Sequence, residues 1–553
     1  MTVCIYYHPE AYSITGDRLM GRNAAGESFL RGFFKHSKRT ESFWVYNDNS
    51  EEVKSFRSLS NSFGRSENVL QVSKKRYSRL KDASVLYYPG PDLEPLARHR
   101  SFFGDGAWSL CGITHTTASA GAMDAIVNLV ASPTREWDGL ICPSSAVKGH
   151  VLNVIDAQKE YLSQEIGATR FTLPQMPVIP LGVHLEDFVF NEETRVTSRQ
   201  SLGIASDAIV FLYVGRLSFH AKAHPLQMYK ALELSAEKTS KDLVLIECGW
   251  FANNYIREAF TAAAQEICPS VRVINLDGRN QSEREKAWSS ADIFCSLSDN
   301  IQETFGIVPL EGMAASLPVV VSDWNGYKDT VNDGVEGFRI PTISPESGLE
   351  GDLAYRHDLG IDTYDMYCGF SSSFVGVNIQ SLMDSFCRLI EDKNLRLSMG
   401  AAGRERIKNQ YDWAHVIKLY ESFWEELNDL RKIESNDKKE RSRTRKFPPN
   451  RMDPSTAFAH YPTKNLKLET HLSLIPTDKS SALDMVDVYR KLVLVNYVDE
   501  LMPSKDTVTA LVHASSKTPV TVENILSSFD SESKHQAKRG LAWLIKLGIY
   551  KFQ

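Results

Sequence analysis

Short unbroken apolar runs alternate along most of the chain with longer stretches whose apolar positions recur every three or four residues. VCIYYH (3–8), SFWVYN (42–47), ASVLYYPG (83–90), the run ending at His115, WDGLIC, Ile209 to Val214, DLVLIECGW (242–250), VRVINLDG (271–278), Asp292 to Leu297 and SLPVVVS read as strands. Continuous apolar runs of this length suit strands covered on both faces, as in a parallel sheet. Between them, Phe29, Leu30 and Phe33 share one helical face, as do Ala122, Ala125, Ile126, Leu129 and Val130. Further helices are expected from about Pro225, near Pro309, and over Ile379 to Leu389, followed by two more. In the last of these, Val416, Ile417, Tyr420, Phe423, Trp424 and Leu427 line one face. Residues 342–377 read as an irregular insertion. The alternation of strand and helix gives an α/β class.

The chain has 553 residues, too many for one core, so two to four domains are expected. Apolar content of 42% and charged content of 24% are ordinary for a globular protein. The net charge of −6 gives no global basic field, so nucleic acid is not an expected partner. Eight cysteines lie without C-x-x-C or zinc spacing, and Cys142, Cys248 and Cys295 sit in apolar runs. That usage fits a reducing cytoplasm. The N-terminus lacks a signal-peptide pattern, and no run is long enough to span a membrane.

The chemistry concentrates in SLSDNIQETFGIVPLEGMAASLPVVVSDWNGYKDTV (296–331). Glu303 falls in the loop after a strand, and Glu311 about one turn inside the next helix. Amides near Phe305, Gly306 and Ile307 lie at the positive end of that helix, a setting for an anion such as pyrophosphate. The carboxylates suit neutral sugar hydroxyls. Arg216 and Lys222 leave the strand 209–214 towards the same crevice, where two cations can neutralise a diphosphate. A loop with Gly16, Gly21 and Gly26 follows the first strand, and Gly26 is expected to begin a helix, the order of a phosphate cradle or of a plain turn. His115 lies just past a strand end, where it faces the crevice or serves structure.

The segment around ETFGIVPLE closely resembles the donor-binding motif of the family 4 retaining glycosyltransferases, nucleotide-sugar enzymes of GT-B architecture. The resemblance covers roughly residues 1–430 and is strongest between 205 and 340. It implies two Rossmann-like domains facing across a cleft. An acceptor domain spans 1–181, a donor domain 182–410, and a helix at 411–430 crosses back to brace the first domain. PVIPLGVHLEDF (177–188) is similar to the hinge, with His184 in place of the usual Asp. The resemblance assigns Arg216 and Lys222 to the donor pyrophosphate, helped by Gly26 and the amides of Phe305, Gly306 and Ile307. It assigns Glu311 to the ribose, Glu303 to the sugar and the charge developing at its anomeric carbon, and His115 to the neighbourhood of the transferred sugar. The loop at Leu276 to Arg279 matches the place where relatives contact the base. No metal and no cofactor are expected beyond the nucleotide-sugar co-substrate.

Residues 431–479 read as a linker with a basic run, KKERSRTRK (438–446), either solvated or touching anionic lipid or glycan. Residues 480–553 read as a small, mainly α domain. Val522, Ile525, Leu526 and Phe529 form one helical face; Ala537, Leu541, Leu544 and Ile545 form a second, with Gly548 as its cap. This resembles a winged-helix half, whose basic residues Lys534, His535, Lys538 and Arg539 could meet DNA, although a protein partner or dimerisation is at least as fitting. The expected function is a metal-independent retaining transfer from a UDP- or GDP-sugar to a glycan, lipid-linked or other hydroxyl acceptor, in the cytoplasm or at the inner face of its membrane. The alternatives are a non-catalytic GT-B scaffold acting through its C-terminal module, and a GT-B sugar-nucleotide epimerase. The intact set of Glu303, Glu311, Arg216 and His115 argues against a decayed scaffold.

Overall fold

The apolar runs assemble into two six-stranded parallel sheets. The computed structural model describes residues 2–12, 21–435 and 448–553. In the first sheet the strands are β1 (Val3–Tyr6), β2 (Ser42–Tyr46), β3 (Asn68–Val72), β4 (Val85–Tyr87), β5 (Ser109–Ile113) and β6 (Gly139–Ile141), in the order β3-β2-β1-β4-β5-β6. The second sheet holds β7 (Ile209–Val214), β8 (Leu243–Gly249), β9 (Arg272–Asp277), β10 (Ile293–Ser296), β11 (Val319–Ser322) and β12 (Gly337–Ile340), in the order β12-β11-β10-β7-β8-β9. Both are Rossmann-like: each sheet starts at its middle and winds outwards in two directions. Helices cover both faces, so strands such as β8 are buried at every position and read as unbroken apolar runs.

Helix α1 (Gly21–His36) follows β1, and α2 (Ser145–Ile166) follows β6. Ser144 caps α2 by accepting from the Val147 amide, satisfying a backbone donor that the first turn leaves unpaired. In the second sheet α3 (Ile307–Ala314) joins β10 to β11. Pro309 lies in its first turn, where its missing N–H costs no intrahelical bond.

The insertion expected to be irregular is ordered. A two-stranded antiparallel ribbon of β13 (Thr342–Ile343) and β14 (Gly376–Val377) encloses α4 (Gly351–Asp358) and α5 (Tyr364–Ser372). Both helices are short and carry exposed apolar residues, among them Tyr355, Met366 and Phe370. They therefore lack the clean apolar stripe by which a helix is read from sequence.

Helix α6 (Trp413–Ser435) returns to the first sheet and packs on α1, β4 and β5. Val416, Ile417, Tyr420, Phe423, Trp424 and Leu427 are all buried there. The chain crosses at Val183, whose amide donates to the Tyr411 carbonyl at 2.8 Å, beside the returning strand-like residues. Trp413 fills this crossing: a Cβ on Gly182 or Gly32 would lie 2.4 or 2.7 Å from its ring. All eight cysteines are free, and seven are buried.

Met1–Pro448 and Pro449–Gln553 form separate units. The second has a three-stranded antiparallel sheet of β15 (His471–Leu474), β16 (Val520–Thr521) and β17 (Tyr550–Phe552), with β15 in the middle. The expected start at 480 leaves out β15, whose Leu472 and Leu474 enter the core of this unit. A four-residue strand flanked by polar residues is too short to show a period. Ala537, Leu541 and Leu544 of α7 (Ser533–Lys546) are buried, and Gly548 takes a left-handed φ of 73° after it. The basic run 438–446 lies outside the described residues. Among the described residues no helix is long and apolar enough to cross a membrane.

Candidate functional site

The winding direction of the second sheet reverses between β7 and β10. Loops leaving two such strands diverge to opposite faces and open a crevice at the carboxyl ends. The loop after β7 carries Arg216 and Lys222; the loop after β10 carries Glu303 and leads into α3. A cleft of about 860 Å3 opens here between α1 and the strand ends, lined by Glu27 and Arg31 on one side and by Arg216, Ile307 and Glu311 on the other. Its floor is backbone. Gly249 ends β8, Gly215 and Gly278 directly follow the adjacent β7 and β9, and a Cβ on Gly249 would stand 1.9 Å from the Gly215 carbonyl oxygen. Only glycine permits that approach.

Glu303 and Lys222 form an ion pair of 2.5 Å, with side chains 10% and 26% exposed. Burial pushes the Glu303 carboxyl up, but the Lys222 ammonium and the Thr304 and Phe305 amides, all hydrogen-bonded to it, hold it below the usual value. The Phe305 amide, expected to face an anion in the cleft, is thus committed to Glu303. The Phe305 ring is 2% exposed and belongs to the core. Gly306 supplies the bend: φ is 82°, and it caps α3. The Tyr327 ring occupies the place of its absent side chain.

Arg216 lines the cleft. Its Nη2 donates to the Ala221 carbonyl at 2.6 Å and to Gln302 Oε1 at 2.9 Å. Lys222 does not join it at the cleft wall, because Glu303 holds it instead. Glu311 faces the cleft without a salt-bridge partner among the described residues. Burial pushes its carboxyl up to about 7, while the Arg284 charge pulls it down.

His115 lies two residues past the end of β5. Its carbonyl accepts from Thr304 Oγ1 at 3.2 Å, so its backbone touches the loop that carries Glu303. Ser144 Oγ donates to the Thr304 carbonyl at 2.8 Å, and the Ser145 amide to Asp329 Oδ2 at 2.5 Å. The amino end of α2 therefore clasps the second sheet's loops directly.

Gly26 is a correction. The helix begins at Gly21, so Gly26 lies inside α1 rather than at its start. A Cβ there would fall 2.0 Å from the Ala11 carbonyl oxygen, so this glycine serves helix-to-backbone packing. Its neighbours Ala24, Glu27 and Ser28 line the cleft.

Three charged cleft residues, Arg31, Glu27 and Arg284, escaped the sequence reading, which placed His184 only in the hinge. Arg31 makes a two-pronged bond to Asp187 at 2.6 and 2.7 Å and reaches Glu186 at 3.0 Å. Glu27, beside it, has its carboxyl pushed up by burial. Arg284 donates to the Gly278 carbonyl at 2.7 Å. His184 stands 3.2 Å from the Ser28 carbonyl, and burial drives its imidazole down to about 4, so the ring is neutral at physiological pH. Glu27, Arg31 and Arg284 are single charges on helices, and nothing local separates them from solvated surface charges.

Residues 194–350 match the family model described as glycosyl transferases group 1. That segment contains β7 to β12 and the residues Arg216, Lys222, Glu303 and Glu311. An uncharacterised glycosyltransferase of Methanocaldococcus jannaschii is 28% identical over 198 residues, 35% of this chain and 48% of that protein. The D-inositol 3-phosphate glycosyltransferase of Geodermatophilus obscurus is 29% identical over 203 residues, 35% of this chain and 42% of that one. The chain thus spans about half the length of the curated relatives it matches. Among solved structures, HepE of Anabaena in complex with UDP is 14% identical, with 76% of this chain and 99% of that chain covered and a TM-score of 0.47.

Proposed function

We propose that the protein is a retaining glycosyltransferase that moves a sugar from a UDP- or GDP-sugar to a hydroxyl of a glycan or lipid-linked acceptor. One observation carries the reading: Arg216 and Glu311 face a single cleft at the switch point of the second sheet, and the Lys222–Glu303 pair stands on the two loops that flank it. The match of the group 1 family model to 194–350 supports the same reading.

In this scheme Arg216 grips the diphosphate, and Glu311 accepts hydrogen bonds from the ribose hydroxyls. Glu303, ionised by its pairing with Lys222, stabilises positive charge at the anomeric carbon. The bond from that carbon to the diphosphate oxygen breaks. The acceptor oxygen bonds to the carbon from the same face, and its proton passes to the departing phosphate. The products are a glycoside of unchanged anomeric configuration and a nucleoside diphosphate. The negative charge that grows on the diphosphate is met by Arg216 at the cleft wall, a fixed cation that takes the place of a metal. Fixed charges in a dry site serve the transition state well because they need no reorganisation.

The test is thermal stability of the purified protein against nucleotides and nucleotide sugars, with and without EDTA, followed by the anomeric configuration of the product. A ligand bound only to the folded state raises the midpoint. A shift with one sugar nucleotide, insensitive to EDTA and lost in Arg216→Ala, is expected. Inversion of configuration, or no nucleotide response at all, would sink the proposal.

A further inference from the structure

The two-helix insertion sits against the diphosphate loops. Asn300, 1% exposed, donates through Nδ2 to the His220 carbonyl at 3.1 Å and to the Cys368 carbonyl at 3.4 Å. One side chain therefore ties the loop after β7 and helix α5 to the loop after β10. Gly369 of α5 approaches so closely that a Cβ there would lie 2.9 Å from His220 Cβ. Asn300 Oδ1 also accepts from the Gln302 backbone amide at 2.9 Å. Gln302 in turn accepts from Arg216 Nη2 at 2.9 Å.

We propose that Gln302 is a positioning residue, through which the insertion 342–377 orients Arg216 towards the diphosphate of the ligand. A guanidinium is rigid and planar, so fixing one terminal nitrogen on two acceptors fixes the direction of the whole fork. Ala221 supplies one acceptor from Arg216's own loop, and Gln302 the other from the loop after β10. Without Gln302 the group is held at one point and swings. The insertion supplies the backing: Asn300 holds the Gln302 backbone in place and itself rests on α5. The inference builds on the donor-site reading, because Arg216 needs a diphosphate to hold.

The experiment measures the affinities of UDP, GDP, UMP and GMP for the wild type and for Gln302→Met, which keeps the side-chain length and deletes the acceptor. Diphosphate affinity is expected to fall about tenfold, the loss of one hydrogen bond to a charged group, with monophosphate affinity unchanged. In an Arg216→Ala background, Gln302→Met is expected to change nothing further. Asn300→Ala, which cuts the tie between Gln302 and α5, is expected to give a smaller loss with the same diphosphate selectivity. Equal losses for mono- and diphosphates, or an undiminished effect without Arg216, would overturn the inference and leave the donor site standing. Failure of the wild type to bind any diphosphate would overturn the donor site and this inference together.

Discussion

Lys222 Nζ and Glu303 Oε2 stand 2.5 Å apart, joining residues 81 positions apart in the chain. The pair spans the two loops of the switch point, so each holds the other's backbone in register. It also keeps Glu303 ionised despite its burial. Glu303→Gln keeps the shape and removes the charge. Turnover is expected to fall by about 10²-fold or more, the scale of losing one electrostatic contact to a developing charge, with nucleotide affinity little changed. Steady-state kinetics beside a binding isotherm checks both halves. Wild-type turnover in this variant would remove Glu303 from the chemistry.

Gly306 is expected to tolerate no side chain. Its φ of 82° disfavours any L-residue, and a Cβ would fall 1.9 Å from the Tyr327 ring. Gly306→Ala should displace α3 with Glu311 on it. Nucleoside diphosphate affinity should drop along with the unfolding midpoint. An alanine variant with unchanged midpoint and unchanged affinity contradicts this.

Glu311 is expected to make nucleotide binding pH-dependent. Its carboxyl is raised to about 7 by burial, and ribose hydroxyls donate best to the ionised form. Binding should therefore tighten as pH rises through 7. The opposite sign holds for stability of the empty protein. A carboxyl raised in the folded state holds its proton more tightly there than when unfolded, so stability falls as pH climbs from the ordinary carboxylate range to about 7. Glu311→Gln removes its share of both slopes. Calorimetric titration and denaturant unfolding at pH 5.5 and 8.5, wild type against variant, read the two signs separately.

Trp413 is expected to be the costliest side chain at the crossing. It is 1% exposed, contacts Phe29 at 5.9 Å between ring centroids, and fills the space left by Gly32 and Gly182. Its Nε1 donates to Ser28 Oγ at 2.8 Å. Trp413→Ala should destabilise the first unit by about 3–5 kcal/mol, the usual loss for a buried large aromatic. Chemical denaturation followed by tryptophan fluorescence measures it, and a loss below about 1 kcal/mol would mean the crossing helix does not brace the fold.

The strands were legible because both faces of each sheet are covered, which turns a strand into an unbroken apolar run; β7 matches its sequence limits, Ile209 to Val214. The strand-end positions of Arg216, Glu303 and Glu311 were legible for a related reason. Each follows or flanks such a run at a short offset, and a parallel sheet brings all its carboxyl ends to one side. Gly26 was misplaced because a glycine looks alike at a helix start and at a packing contact inside a helix; the partner, the Ala11 carbonyl, is what tells them apart. Helices α4 and α5 were missed because their apolar residues stay partly exposed and make no stripe.

By itself, then, the chain determined its strands, the doubly wound class and the residues at strand ends, all properties of local period and short offset. Tertiary structure alone decided who pairs with whom. Lys222 goes to Glu303 and leaves Arg216 at the cleft, α5 backs Gln302 through Asn300, and Arg31 and Glu27 on α1 meet the strand ends of the second sheet. Such pairings join residues tens to hundreds of positions apart. Their energy depends on distance and burial in three dimensions, and no local pattern along the chain encodes either.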